Sequence, residues 1–156
     1  MRPAHLAMLC VFPALVVAGV RPAVGGGRAP RVATARNRWY TPQQVRKGAV
    51  VYRRHCARCH GDRAQGGPGW PKPGANGRVP APPLDGRGHA WLRPLGHLRY
   101  VIAHGLPMDH GRMPAWKGKL SKAQINATIA WLQAWWPGRV YRRWRLIQRR
   151  ARGMKH

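Results

Sequence analysis

The sequence predicts an all-α domain in which a few helices are joined by long loops. Three observations carry that expectation. Two segments, Thr41-Pro42-Gln43-Gln44 and Ser121-Lys122-Ala123-Gln124, read as capping boxes followed by apolar residues at helical spacing. Between them, Gly61 to Gly88 holds eight Gly and six Pro, too many breakers for a regular element. No run shows the period-two alternation of a half-buried strand.

The first helix begins after Thr41, whose side chain caps it. Pro42 suits the first helical position, and Val45, Ala49, Tyr52 and Cys56 then recur along one face. A short helix is expected from Leu95 to Ala103, with Gly105 placed to end it. The last helix starts after Ser121, lines up Ile125, Ile129, Leu132 and Trp136, and is stopped by Pro137.

Four segments follow. Residues 1–24 read as a signal peptide: Arg2 and His5 precede an apolar run from Leu6 to Val20, and small residues collect at Ala23–Gly27. The run is short for a membrane span, so an uncleaved anchor is the lesser alternative. Cys10 lies inside it and belongs to the leader. Residues 25–38 form a Gly- and Arg-rich flexible lead-in, 39–137 the folded domain, and 138–156 a basic tail with eight Arg and Lys in its last 18 residues. That tail is expected to be a solvated charge run, or else a segment drawn to an anionic membrane surface through Tyr141, Trp144, Leu146 and Ile147.

Charge is the most unusual property of the chain. Its 29 Lys and Arg face three acids, for a formal net charge of +26. Such a surface attracts anionic proteins or lipid, and export argues against nucleic acid as a partner. A loop-rich domain of this size buries too little apolar surface to fold comfortably on that alone, so a bound group is expected to complete its core.

Cys56-Ala57-Arg58-Cys59-His60 supplies that group. The C-x-x-C-H spacing is the haem-attachment signature: two thiols can each form a thioether to a vinyl group, and the adjoining imidazole becomes an axial ligand. Zinc would need three or four ligands, usually two such pairs; His55 and His60 could make up the number, but both crowd the same turn, and a thioredoxin-like dithiol would need a βαβ context. The second iron ligand should lie downstream. Met113, in a Gly- and Pro-flanked loop before the last helix, is favoured over Met108 and over His89, His97, His104 and His110.

From Thr41 to Trp136 the sequence resembles a class I c-type cytochrome, the small bacterial monohaem kind. Gly48 and Tyr52 precede the haem motif, Gly61, Gly66 and Gly67 follow it, and Ala81-Pro82-Pro83-Leu84, Gly105, Met113-Pro114, Leu120 and Trp131 complete the series. The resemblance implies one haem c, bound through Cys56 and Cys59 and ligated by His60 and Met113. It further implies that the first and last helices cross closely at Gly48, that Tyr52 packs near Trp131, and that a carbonyl at Pro82 or Pro83 accepts a hydrogen bond from His60. The long Pro-rich stretch after His60 and the basic tail depart from the family pattern.

The function expected is that of a periplasmic single-electron carrier serving acidic redox partners, a non-catalytic protein. The alternative is an electron-transfer haem subunit of a periplasmic or membrane oxidoreductase complex.

The composition also sets an expectation for acid stability. Carboxylates with depressed native pKa values are what most proteins lose on acidification, and this chain has three Asp and no Glu. With His60 on iron, charge is added below pH 7 chiefly through the other histidines. Thermal melts of oxidised haem-loaded protein at fixed ionic strength should therefore shift by less than about 10 °C between pH 7 and pH 4. A larger fall, corresponding to roughly 1–3 kcal/mol, would contradict this.

Overall fold

A computed structural model of the chain describes residues 37–108 and 111–153. The expected signal peptide and most of the lead-in lie outside the described residues. The elements are α1 (Pro42–His55), a one-turn α2 (Ala57–His60), a 3₁₀ turn (Ala90–Leu92), α3 (Leu95–His104), strands β1 (Leu106–Met108) and β2 (Gly111–Met113), α4 (Lys122–Trp135) and α5 (Gly138–Gly153).

Both predicted capping boxes are present. Gln44 N–H donates to Thr41 Oγ1 and Thr41 N–H to Gln44 Oε1; Ser121 and Gln124 repeat the exchange. Each pair satisfies two amide donors that a helix start would otherwise leave open. Gly105, at φ 73°, ends α3 in a conformation that disfavours residues with a Cβ. Trp136 adopts ψ 131° before Pro137, as the proline ring demands, and α4 stops there.

The helices α1 and α4 cross in closest contact. Any Cβ on Gly48 would strike the Ala127 carbonyl and come within 2.9 Å of Trp131 Cβ, so only glycine lets the two backbones meet. Beside that point Tyr52 and Trp131 stack, ring centroids 4.1 Å apart and 29° between planes. Val45, Val51, Ile125, Ile129 and Leu132 complete the seam.

Two features depart from the sequence expectation. Strands β1 and β2 form a small antiparallel pair, Leu106 opposite Met113 and Met108 opposite Gly111. Three residues each are too few for a period to register, and the fold remains all-α. The segment after Gly138, expected as a solvated charge run, instead forms α5 and joins the core. Tyr141 and Trp144 are 5% and 2% exposed. Trp144 Nε1 donates to Arg93 O at 3.0 Å, and Leu95 N–H donates to Gln148 Oε1 at 2.8 Å, which caps the start of α3. The Arg38 guanidinium lies 3.6 Å from the Tyr141 ring centroid. The apolar face of α5 is thus spent on the domain. Among the described residues no helix is long and apolar enough to cross a membrane.

Trp144→Ala should cost about 3–5 kcal/mol, the range for emptying a large buried aromatic site. Chemical denaturation of the haem-loaded protein checks this. A change within about 0.5 kcal/mol would mean that α5 does not belong to the folded unit.

Candidate haem site

The chain leaves α1 at Cys56 and immediately winds one further turn. Cys56 N–H donates to Tyr52 O at 2.8 Å, closing α1, while His60 N–H donates to Cys56 O at 3.0 Å, opening α2. Ala57 is buried and acts as the pivot. Positions 56, 59 and 60 stand three and four residues apart, so this turn gathers Cys56, Cys59 and His60 on one side. Gly61, at φ 76°, ends the turn, and its carbonyl accepts the Tyr52 hydroxyl at 2.8 Å.

The Gly- and Pro-rich loop then folds back beneath the histidine. Gly66 N–H donates to His60 O, Gly67 N–H to Ala81 O, and Leu84 N–H to Ala64 O, all at 2.7–2.8 Å. His60 Nδ1 lies 3.0 Å from Pro82 O. The prolines of the Ala81–Leu84 segment are thereby told apart: Pro82 accepts the bond, and Pro83 packs between two glycines. A Cβ at Gly66 would come within 2.8 Å of Pro83 N, and one at Gly88 would strike Pro83 O. Trp136 Nε1 donates to Leu84 O at 2.8 Å and ties the segment to the end of α4. Gly88 and this tryptophan bond were missed in the sequence; only the glycine density hinted at the first.

The donor chemistry fits a c-type haem. Cys56 and Cys59 are free thiols, one half-buried and the other exposed. Burial, and then the neighbouring Cys59, push the Cys56 thiol up to about 11, so it stays protonated at neutral pH. Burial lowers the His60 pKa, with the Pro82 bond opposing the shift. Burial thus disfavours the charged ring, and in the neutral ring, with Nδ1–H given to Pro82, Nε2 carries the free lone pair.

Met113 stands on β2, half-buried against the same core cluster that Cys56 packs against. Its backbone is set by the end of α3: Trp116 N–H donates to Ile102 O at 3.2 Å and Lys117 N–H to Ala103 O at 2.8 Å. A Cβ at Gly105 would strike Met113 O. Met108, the rival, lies on β1 opposite Gly111. Of the histidines, His55 packs edge-on against Trp116 at 4.8 Å, His104 stacks on Tyr100 at 4.3 Å, His89 sits 6.0 Å from Trp70, and His97 is exposed on α3. His110 lies outside the described residues. Among the described residues no three His, Cys, Asp or Glu side chains gather as a metal cluster.

This arrangement of an all-α fold around a C-x-x-C-H turn defines a class I c-type cytochrome. Residues 43–132 match the family model "Cytochrome C oxidase, cbb3-type, subunit III", and the chain belongs to that family. The cbb3-type cytochrome c oxidase subunit CcoP of Azospirillum sp. (strain B510) is 35% identical over 89 residues, 57% of this chain and 28% of the relative. The chain therefore spans less than a third of that relative's length. No solved structure matches. A covalently bound haem c goes with the family.

Gly88→Ala should displace Pro83 and, through it, the Pro82 carbonyl, costing about 1–3 kcal/mol by overpacking. Gly96→Ala is the control: it lies in α3 with nothing within 4 Å and should gain up to about 1 kcal/mol from helix propensity. Paired thermal melts check both signs. Equal shifts would mean that the Gly88–Pro83 contact does not hold the loop.

Proposed function

We propose that this chain is an electron-transfer haem subunit of a membrane oxidase complex, holding one haem c through Cys56 and Cys59 with His60 and Met113 as axial ligands. The observation that carries the subunit reading is that both the family and the relative are described as parts of a cbb3-type oxidase. That moves the balance away from a freely diffusing periplasmic carrier, the first expectation from sequence. The sequence holds a single C-x-x-C-H and, apart from Cys10, no other cysteine, which supports one haem.

When bound, the haem supplies one-electron exchange between ferrous and ferric iron. The chain's own groups set how that exchange runs. The Pro82 carbonyl fixes the His60 ring and increases its donor strength. A Met113 thioether, held together with the His60 imidazole, would favour the ferrous state and raise the potential. With His60 and Met113 both given to the iron, the group would exchange electrons and leave no place for a substrate to be transformed. The partner is then the neighbouring subunit or an acidic donor protein, met on the periplasmic side of the membrane, and surface Lys and Arg speed such encounters more than they strengthen them.

Two measurements test this. Met113→Ala should open the iron to carbon monoxide or cyanide, while Met108→Ala should leave it closed; ligand binding gained by the Met108 variant instead would overturn the ligand assignment. Capture of the full chain from its native membrane in mild detergent should bring down haem-stained protein together with oxidase activity. Recovery of fully haem-loaded chain alone, in the soluble periplasmic fraction, would restore the free-carrier reading.

A further inference from the structure

Helix α5 turns its two faces to different purposes. Tyr141, Trp144 and Gln148 hold one face on the domain. The opposite face carries Arg139, Arg142, Arg143, Arg145, Arg149 and Arg150, all exposed, with Arg152 beyond them. At 1.5 Å per residue its 16 residues extend about 24 Å. The helix contains no acid. The ion pair present among the described residues joins Asp85 to Arg87 and to no arginine of α5, and the whole chain has three Asp to set against 29 basic residues. Helix α5 is therefore a rigid rod presenting a dense row of guanidinium groups with no carboxylate built in to meet them.

From this row we infer that α5 is an adsorption surface for the anionic headgroups of a phospholipid bilayer. Guanidinium pairs with phosphate oxygens in a fork geometry that lysine cannot reproduce, and every basic residue of α5 is arginine. Specific protein docking concentrates its energy in a few Trp, Tyr or Arg anchors seated in well-packed, desolvated pockets at the centre of the interface. Here both aromatic residues of α5 point inward, and the outward face offers flexible arginines around a single apolar tip, Leu146, 49% exposed. Such a face suits a partner that is charge-dense, extended and unshaped. An ordinary interfacial helix buries its apolar stripe in lipid, but in α5 that stripe is already committed to Trp136, Arg93 and Leu95. Binding is then mainly electrostatic, with Leu146 alone reaching the acyl boundary, and it must weaken as salt shortens the Debye length. The inference does not depend on which complex the haem domain serves.

Flotation of the exported, haem-loaded chain with vesicles tests it. Vesicles half phosphatidylglycerol and half phosphatidylcholine should carry the protein at low salt and release it at high salt, while pure phosphatidylcholine should not carry it. The triple variant Arg142→Gln, Arg145→Gln, Arg149→Gln should lose about 100-fold in partitioning. A variant with the same charge loss away from α5 and the haem turn (Arg46→Gln, Lys47→Gln, Lys122→Gln), all exposed positions, should stay within about threefold of the parent. Equal losses in the two variants would reduce the effect to net charge and overturn the assignment. So would equal binding to neutral and anionic vesicles. Absence of binding to either vesicle, with electron exchange slowed only in the α5 variant, would assign the surface to an acidic protein instead.

Discussion

The contact of Gly48 with the Ala127 backbone is the constraint on which the rest of the structure depends. It brings α1 and α4 together at a distance that a single added methyl would forbid. The C-x-x-C-H turn and the loop beneath His60 hang from the two helices so joined. The C-terminal end of α1 delivers Cys56 and sets the turn that gathers Cys59 and His60. The C-terminal end of α4 delivers Trp136, whose indole holds Leu84 and with it the Pro82 carbonyl under His60. The two ends of one helical crossing therefore position the two halves of the haem-binding loop. Interior packing tolerates little change at such a point, so a disturbance there would reach the histidine without touching it.

Much of this was legible in the sequence, for physical reasons that differ by element. Capping boxes are local: Thr41 and Gln44, or Ser121 and Gln124, need only each other, so both helix starts stand where the sequence puts them. The C-x-x-C-H turn is equally local, since three and four residues of separation suffice to share a helix side. The partner of His60 was narrowed to two prolines and no further, because the choice is made by Gly88, five residues beyond Pro83, and by Trp136 on a distant helix. Helix α5 was misread because its charge hides its period. Tyr141, Trp144 and Gln148 recur at helical spacing, but seven arginines among them give the run the composition of a solvated tail. Tertiary burial of two aromatic rings outweighed that composition. The strands at Leu106–Met108 and Gly111–Met113 are too short to leave any pattern.

The extreme charge takes on a more definite sense once α5 is placed. Arginines spread evenly over a domain would chiefly repel one another, whereas a row fixed on one rigid helix creates a directional field. Other basic groups, among them Arg53, Arg54 and Arg58, are exposed beside the haem turn, where under the proposed function they would meet an electron donor. One part of the charge is thus suited to holding the protein at a surface and another to guiding partners toward the site.

The central claim is that a single haem is held covalently at the turn following α1. Intact-mass analysis of the exported protein, followed by peptide mapping, tests it most directly. The account predicts a mass increase of one haem, carried entirely on the peptide containing Cys56, Cys59 and His60. A chain without added haem when made alongside working attachment machinery, a second haem, or a haem located on any other peptide would contradict it.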